Sequence, residues 1–204
     1  MSVARARWAT IRALVPAGHG PVIDVGADHG HVAAGLPGAM ATERAPGRMG
    51  RPDVAWVVAD GLAPFRRVGV AIIAGMGAHT IARILSAGPR PQIAVVHAPD
   101  DPPTLRELLA SAGWRIDDER AVPEGPRLAE IIRVVPGAEP ATGPALRWGP
   151  KLADTPRLRA HYRRQRDRLQ AIAAAVADRD SPRHARLTED VDWLTRRLGQ
   201  PPAT

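Results

Sequence analysis

Cysteine is absent from the 204 residues, so disulfides and thiolate metal sites are excluded. Aromatic side chains are scarce as well: five tryptophans, one tyrosine and one phenylalanine. The 45% apolar content must therefore come mainly from Ala, Val, Leu and Ile, which is enough for a core. Lysine occurs once, as Lys151, and the other 27 of the 28 basic residues are arginine. No apolar run approaches the ~18 residues that a membrane span needs. Arg5, Arg7 and Arg12 interrupt the N-terminus before a signal-peptide core can form. The expectation is a soluble, cytoplasmic protein with no membrane partner. Its seven histidines show no close paired spacing with carboxylates, so no metal is expected.

What charge there is lies unevenly. Residues 1–146 carry 15 basic and 14 acidic side chains, whereas residues 147–204 carry 13 and seven, so +6 of the net +7 lies beyond residue 146. A concentrated basic surface suits a polyanion such as nucleic acid or an anionic membrane. A merely solvated helical face is the alternative.

The chain is organised around Val22-Ile23-Asp24-Val25-Gly26-Ala27-Asp28-His29-Gly30-His31. An apolar run ends in Asp24, and a glycine-bearing turn leads to Val32–Leu36, the strand–turn–helix opening of a nucleotide-binding α/β sheet. The spacing is Asp-x-Gly-x-x-x-Gly, which is not the dinucleotide fingerprint, because Asp28 stands between Gly26 and Gly30. A helix over 3–15 precedes it. Strands are expected near 21–25, 39–43, 54–58, 68–74 and 92–97, with helices over 78–87 and from Pro102 or Pro103 to Ala112. The nearly continuous apolar run from Val68 to Ala74 suits a central parallel strand buried on both faces.

Trp114–Ile116 and Leu128–Val135 read as the last two strands, paired through a turn at Pro123–Pro126. Together these elements predict a Rossmann-like, mostly parallel sheet with one antiparallel edge over residues 1–136. The Pro- and Gly-rich stretch at 137–147 reads as a linker. Beyond it the period changes: Leu158, Tyr162, Gln165, Leu169, Ile172 and Val176 recur at alternating four and three, with one polar member, and Leu187, Val191, Leu194 and Leu198 do the same. Residues 148–204 are thus expected to form an antiparallel helical hairpin, its second helix started by Ser181-Pro182.

Acidic residues close the first three strands: Asp24, Glu43 and Asp60. A carboxylate ending the second strand can accept both hydrogen bonds of a ribose diol, and Asp60 can accept from an adenine amino group. Gly75 and Gly77, after the fourth strand, let a ligand approach the backbone. No phosphate-cradling loop appears, so the pattern suits a nucleoside cofactor without phosphates, and S-adenosylmethionine is the obvious candidate.

With these residues in place, the chain resembles the bacterial tRNA (adenine-N1)-methyltransferases that modify position 22, within the class I S-adenosylmethionine-dependent methyltransferases. The segment from Asp24 to Ala33 lies in register with that family's Asp-x-Gly-[Ser/Thr]-Asp-His-Ala-Tyr-Leu-Pro. Glu43 and Gly47 match its Glu-x-x-x-Gly, Ala59-Asp60-Gly61-Leu62 its Gly-Asp-Gly-Leu, and Ile73–Ala78 its Ile-Ala-Gly-Met-Gly-Gly. Leu105–Leu109, Gly113–Ile116, Glu130–Ile132 and Trp148–Leu152 are similar to further stretches. Three departures stand out. Only 12 residues separate Gly47 from Asp60, where the family usually has a full helix. His31 replaces its Tyr, and Ala98-Pro99 its Gln-Pro.

The resemblance implies a methyl transfer from S-adenosylmethionine to N1 of an adenine in tRNA. The cofactor-binding candidates are Asp24, Gly26, Asp28, His29, Glu43, Asp60, Gly61, Ala74, Gly75 and Met76. Those for catalysis are Asp28, His31 and His79; the two histidines either face the substrate mouth or are simply solvated. The RNA-binding candidates are Arg7, Lys151, Arg157, Arg163, Arg164, Arg166 and Arg168, of which the arginines of 157–168 fall largely outside the apolar stripe. The oligomeric state stays open, with a monomer favoured. Two other readings remain: a non-catalytic RNA-binding relative, and a methyltransferase for another RNA or a small molecule.

Overall fold

The computed structural model describes residues 3–176, 178–179 and 181–201. After helix α1 (Val3–Ala13) come strands β1 (Val22–Val25), β2 (Met40–Glu43), β3 (Ala55–Val58) and β4 (Val70–Ala74). Helix α2 (Ala78–Ser86), β5 (Ile93–His97), α3 (Pro102–Ser111), β6 (Trp114–Glu124) and β7 (Arg127–Pro136) complete the sheet region. Helices α4 (Gly143–Arg147), α5 (Pro156–Ala175) and α6 (Pro182–Gly199) follow.

The seven strands lie in the order β3-β2-β1-β4-β5-β7-β6. Strands β1 to β5 pair in parallel; β7 runs antiparallel between β5 and β6. Strand order reverses between β1 and β4, where a doubly wound sheet opens a crevice at its C-terminal edge. Alternation along β4 divides the core in two. Val70 and Ile72 pack with Ile11 of α1 and with Leu14 just past its end, while Ala71 and Ile73 meet Ile81, Ile84, Leu105 and Leu109 of α2 and α3.

Local chemistry explains where the elements differ from expectation. The segment after the first turn is a single 3-10 turn, Ala33–Gly35, and not a helix. A Cβ at Gly35 would collide with the Arg12 side chain, so glycine, a poor helix former, stands there, and Pro37-Gly38 then forbids a continuation. The β2–β3 connection is likewise one 3-10 turn, Pro46–Arg48. A small cluster of Ala33, Ala39, Ala41 and Val54, with Trp56 against it, covers that end of the sheet. Strand β6 runs on to Glu124, so the turn is only Gly125-Pro126. The stretch expected as a linker contains α4, with Pro144 in its first turn.

The helical hairpin is seated by apolar and ionic contacts. Thr155 and Ser181 cap α5 and α6 by accepting from the Leu158 and His184 amides. Trp148, Leu152, Leu158, Tyr162 and Leu194 form one buried cluster with Ala121 and Leu128 of the β6–β7 hairpin. Below it, the fully buried Arg106 of α3 donates to Glu119 of β6 and Glu130 of β7, both at 2.6 Å, and to the Arg147 carbonyl at 2.9 Å. Burial alone would lower its pKa, but the two carboxylates reverse this and hold it above the ordinary value. A bulge between Ile116 and Asp118 shifts the β6 register, and so turns Glu119 to the face of Glu130 and α3. Arg147 ties α4 to α6 through Asp190 at 2.8 Å and Glu189 at 2.6 Å.

Candidate active site

A cavity of about 500 Å³ opens at the C-terminal edge of β1, β2 and β4 and at the turn after β3. All ten cofactor-binding candidates border it: Asp24, Gly26, Asp28, His29, Glu43, Asp60, Gly61, Ala74, Gly75 and Met76. So does His31. His79 does not; it is exposed in the first turn of α2, while the next residue, Thr80, borders the cavity. Each helical step turns a side chain by about 100°, which separates the two.

The loop after β1 is tightly held. Gly26, Asp28 and Gly30 have φ of 63°, 49° and 69°, and Asp28 is the only non-glycine with positive φ among the described residues. Asp is among the few side chains that tolerate this region. A Cβ on Gly26 would collide with Met76 Cε, and one on Gly30 would come within 2.9 Å of Trp56. The Asp24 carboxylate accepts the Ala33 amide at 3.1 Å, and Glu43 Oε2 accepts the Asp28 amide at 3.4 Å. Burial raises the pKa of Asp24 to about 7, and the Ala33 N–H only partly offsets it. Gly75, at φ 81°, has no protein atom within 4 Å of where its Cβ would stand. That open space, beside strand-end carboxylates, fits a nucleoside ligand resting on the backbone.

The rim holds residues that sequence reasoning did not assign to the site. Trp8 of α1 stacks on His31, with ring centroids 4.2 Å apart and planes at 24°. Arg12 donates to the His31 carbonyl at 3.1 Å, which helps fix that ring's position. Arg44, Arg48, Thr80 and Arg83 also border the cavity. Trp8 showed only its place in an apolar stripe, and no local pattern marks the arginines.

The RNA-binding candidates divide. Arg7 lies in the cavity wall and is ion-paired with Glu124 at the tip of β6. Arg157, Arg163 and Arg168 are exposed and have no ion-pair or hydrogen-bond partner among the described residues. Arg166 pairs with Asp167 at 2.7 Å, and Arg164 reaches the Pro126 carbonyl at 3.4 Å. Lys151 is exposed, and its backbone N–H donates to Glu119. His97 is buried with Nδ1 on the Glu130 carbonyl at 3.0 Å, away from the cavity lining. Among the described residues no His, Asp and Glu group is placed to hold a metal ion. No helix there is long and apolar enough to cross a membrane.

Similar folds are known. A protein of the NADB-Rossmann superfamily from Streptococcus agalactiae is 23% identical, with a TM-score of 0.79 over 94% of this chain and 96% of its own. The M. capricolum TrmK bound to S-adenosylhomocysteine is 13% identical, with a TM-score of 0.78 over 94% and 96%. The B. subtilis m1A22 tRNA methyltransferase TrmK is 21% identical, with a TM-score of 0.76 over 94% and 97%. At these identities the likeness establishes the fold. No curated protein matches the chain at a significant level. The sequence model of one family, tRNA (adenine(22)-N(1))-methyltransferase, matches residues 51–195, from β3 through most of α6. With a match that spans most of the sheet and the helical hairpin, the chain belongs to the tRNA (adenine(22)-N(1))-methyltransferase family.

Proposed function

We propose that this chain transfers the methyl group of S-adenosylmethionine to N1 of adenine 22 in tRNA, with Glu43, Asp60 and the open backbone at Gly75 holding the cofactor. The observation that carries this reading is the meeting of Asp24, Glu43 and Asp60 in one cavity, beside a glycine with free space above it. Asp60 follows β3, next to β2, and so can take an adenine amino group while Glu43 takes the ribose diol. When bound, S-adenosylmethionine supplies a methyl group already activated by its sulfonium. Adenine N1 carries a free lone pair, so the residues here need only position the base and exclude water. Formal charge is conserved, because the sulfonium charge passes to the methylated base. No general base is required. Asp28, His29 and His31 stand on the loop after β1, where the target base must enter once it leaves its stack.

Isothermal calorimetry should detect S-adenosylmethionine binding, and Glu43→Ala should weaken it by about 1.5–3 kcal/mol, the range for hydrogen bonds to a charged group. Absence of binding to the unmutated protein at millimolar cofactor defeats the reading. Mass spectrometry of nucleosides from incubated tRNA then identifies the product base.

The helical hairpin of residues 148–204 serves in this reading as an appended tRNA-holding module. Two contacts link it to the cavity mouth through the β6–β7 tip: Arg164 on the Pro126 carbonyl, and Glu124 on Arg7. Reversing Arg163 and Arg164 to Glu should weaken tRNA binding and flatten its salt dependence, which falls by about 0.9 per phosphate contact on a duplex. Cofactor binding should be unchanged. Binding equal to the parent at every salt concentration in a filter assay assigns the hairpin no RNA contact there.

A further inference from the structure

We propose that Arg44 and Arg48, on the shortened β2–β3 connection, form a clamp for the tRNA phosphates that flank the target adenosine. The inference rests on the reading of the cavity as a site for S-adenosylmethionine and tRNA. Both side chains border the cavity, both are exposed, and neither guanidinium has an ion-pair or hydrogen-bond partner among the described residues. The other two arginines of the wall are differently placed: Arg7 is paired with Glu124, and Arg83 lies 3.9 Å from Asp60.

Charge decides what Arg44 and Arg48 can serve. S-adenosylmethionine has no phosphate; it carries a sulfonium, an ammonium and one carboxylate, and is cationic overall. That single carboxylate offsets only half the charge of the two guanidiniums. Anions must arrive with the second substrate, and an adenine swung out of its stack brings its own flanking phosphates to the rim. Arginine is suited to the task, because its planar fork binds phosphate oxygens in pairs.

The fold explains why the clamp stands there. In place of a crossover helix, the connection is one 3-10 turn, Pro46–Arg48, with the Arg48 amide on the Ala45 carbonyl at 3.0 Å. This short connection brings Arg44 and Arg48 to the cavity rim. The only acidic residue between Glu43 and Asp60 is Asp53, and it is held by Arg51 at 2.8 Å. Sheet order puts this connection at the β2–β3 end, whereas the β6–β7 tip and Arg164 stand at the other. The two basic groups therefore flank the cavity, and a bound tRNA would span it.

The test compares the full-length parent with R44E/R48E and the milder R44Q/R48Q, each checked for native circular dichroism. Filter binding of tRNA is measured across salt, and S-adenosylmethionine binding by calorimetry. The expected result is a loss of roughly tenfold or more in tRNA affinity at 0.1 M salt for the Glu pair. Its salt slope should be shallower by about 1.4–1.8, as for two lost phosphate contacts. The Gln pair should show the same slope change, R44K/R48K should keep the parent's slope while losing part of the affinity, and cofactor affinity should stay within about twofold. Unchanged tRNA binding overturns the proposal. So does a marked fall in cofactor affinity, which would assign the pair to the methionine carboxylate. If the parent binds cofactor and tRNA but transfers no methyl group, the proposed function fails while the clamp is still judged by the binding curves.

Discussion

Replacing Arg106 with Met is expected to destabilise the protein by about 3–5 kcal/mol, the cost of leaving buried charge without its partner. The guanidinium side chain is 1% exposed, and Glu119 and Glu130 are 0% and 6% exposed, so water cannot take its place. Three of its nitrogens are used, and each anchors a different element: β6, β7 and the end of α4. Glu119 also accepts the Lys151 amide at 2.9 Å, which draws the segment after α4 onto the sheet. Burial already pushes the Glu119 carboxyl above its ordinary range, against the pull of Arg106. Without Arg106 the two buried carboxylates lose the guanidinium that compensates them, and the seat of the hairpin is destabilised.

At about 2–4 °C per kcal/mol for a domain of this size, the melting point should fall by roughly 10 °C. Thermal denaturation followed by circular dichroism measures it. The triple variant R106M/E119Q/E130Q should recover most of the loss, because neutral groups remove the buried charge altogether. A shift under about 2 °C for R106M would mean that the network contributes little, and that the apolar cluster around Trp148 and Tyr162 seats the hairpin unaided.

That network also marks where the sequence ceased to be legible. Arg106, Glu119, Glu130 and Arg147 are charged residues spread over 42 positions, and sequence reasoning places such side chains at the surface. Their burial depends on a strand bulge that no local pattern announces. The same bulge, followed by Asp118, Glu119 and Arg120, hides the alternation that would have carried β6 beyond Ile116. By contrast, the central strands were legible, because β4 and β5 are almost wholly apolar and bounded by glycine, proline or polar residues.

The site was legible in the same measure. Carboxylates that end adjacent parallel strands must converge at one edge of the sheet, so Asp24, Glu43 and Asp60 could be grouped from sequence alone. Trp8, Arg44, Arg48 and Arg83 reach the cavity from a helix packed across the sheet and from irregular or distant segments. Their placement follows from tertiary packing, which periodicity does not encode. His79 fell the other way, since a shift of one residue on α2 gives the cavity to Thr80.

Asp24→Asn should stabilise the cofactor-free protein, and increasingly so as pH rises. Asp24 is 5% exposed, with its carboxyl pushed up to about 7 from an ordinary 3.8. Below about pH 4 it is protonated in both folded and unfolded chains and has no net effect. As pH rises from there toward 7, the unfolded chain ionises while the native carboxyl stays protonated, so stability is lost progressively. Above 7 both forms are ionised, and the penalty levels off at about 4 kcal/mol by the linkage relation. Asn keeps an oxygen for the Ala33 amide and never ionises, so it escapes that penalty. The advantage of D24N over the parent should therefore grow by about 2 kcal/mol between pH 5.5 and 8.5. Urea denaturation at the two pH values measures it, and an advantage that is constant or shrinks with pH would refute a raised pKa at Asp24. The function proposed above gives the strain its purpose. A cationic cofactor entering beside Asp24 would favour the ionised carboxyl, so the parent should release a proton on binding near pH 7. D24N should bind more weakly and release none from this group, a contrast that calorimetry in buffers of different ionisation enthalpy reads directly.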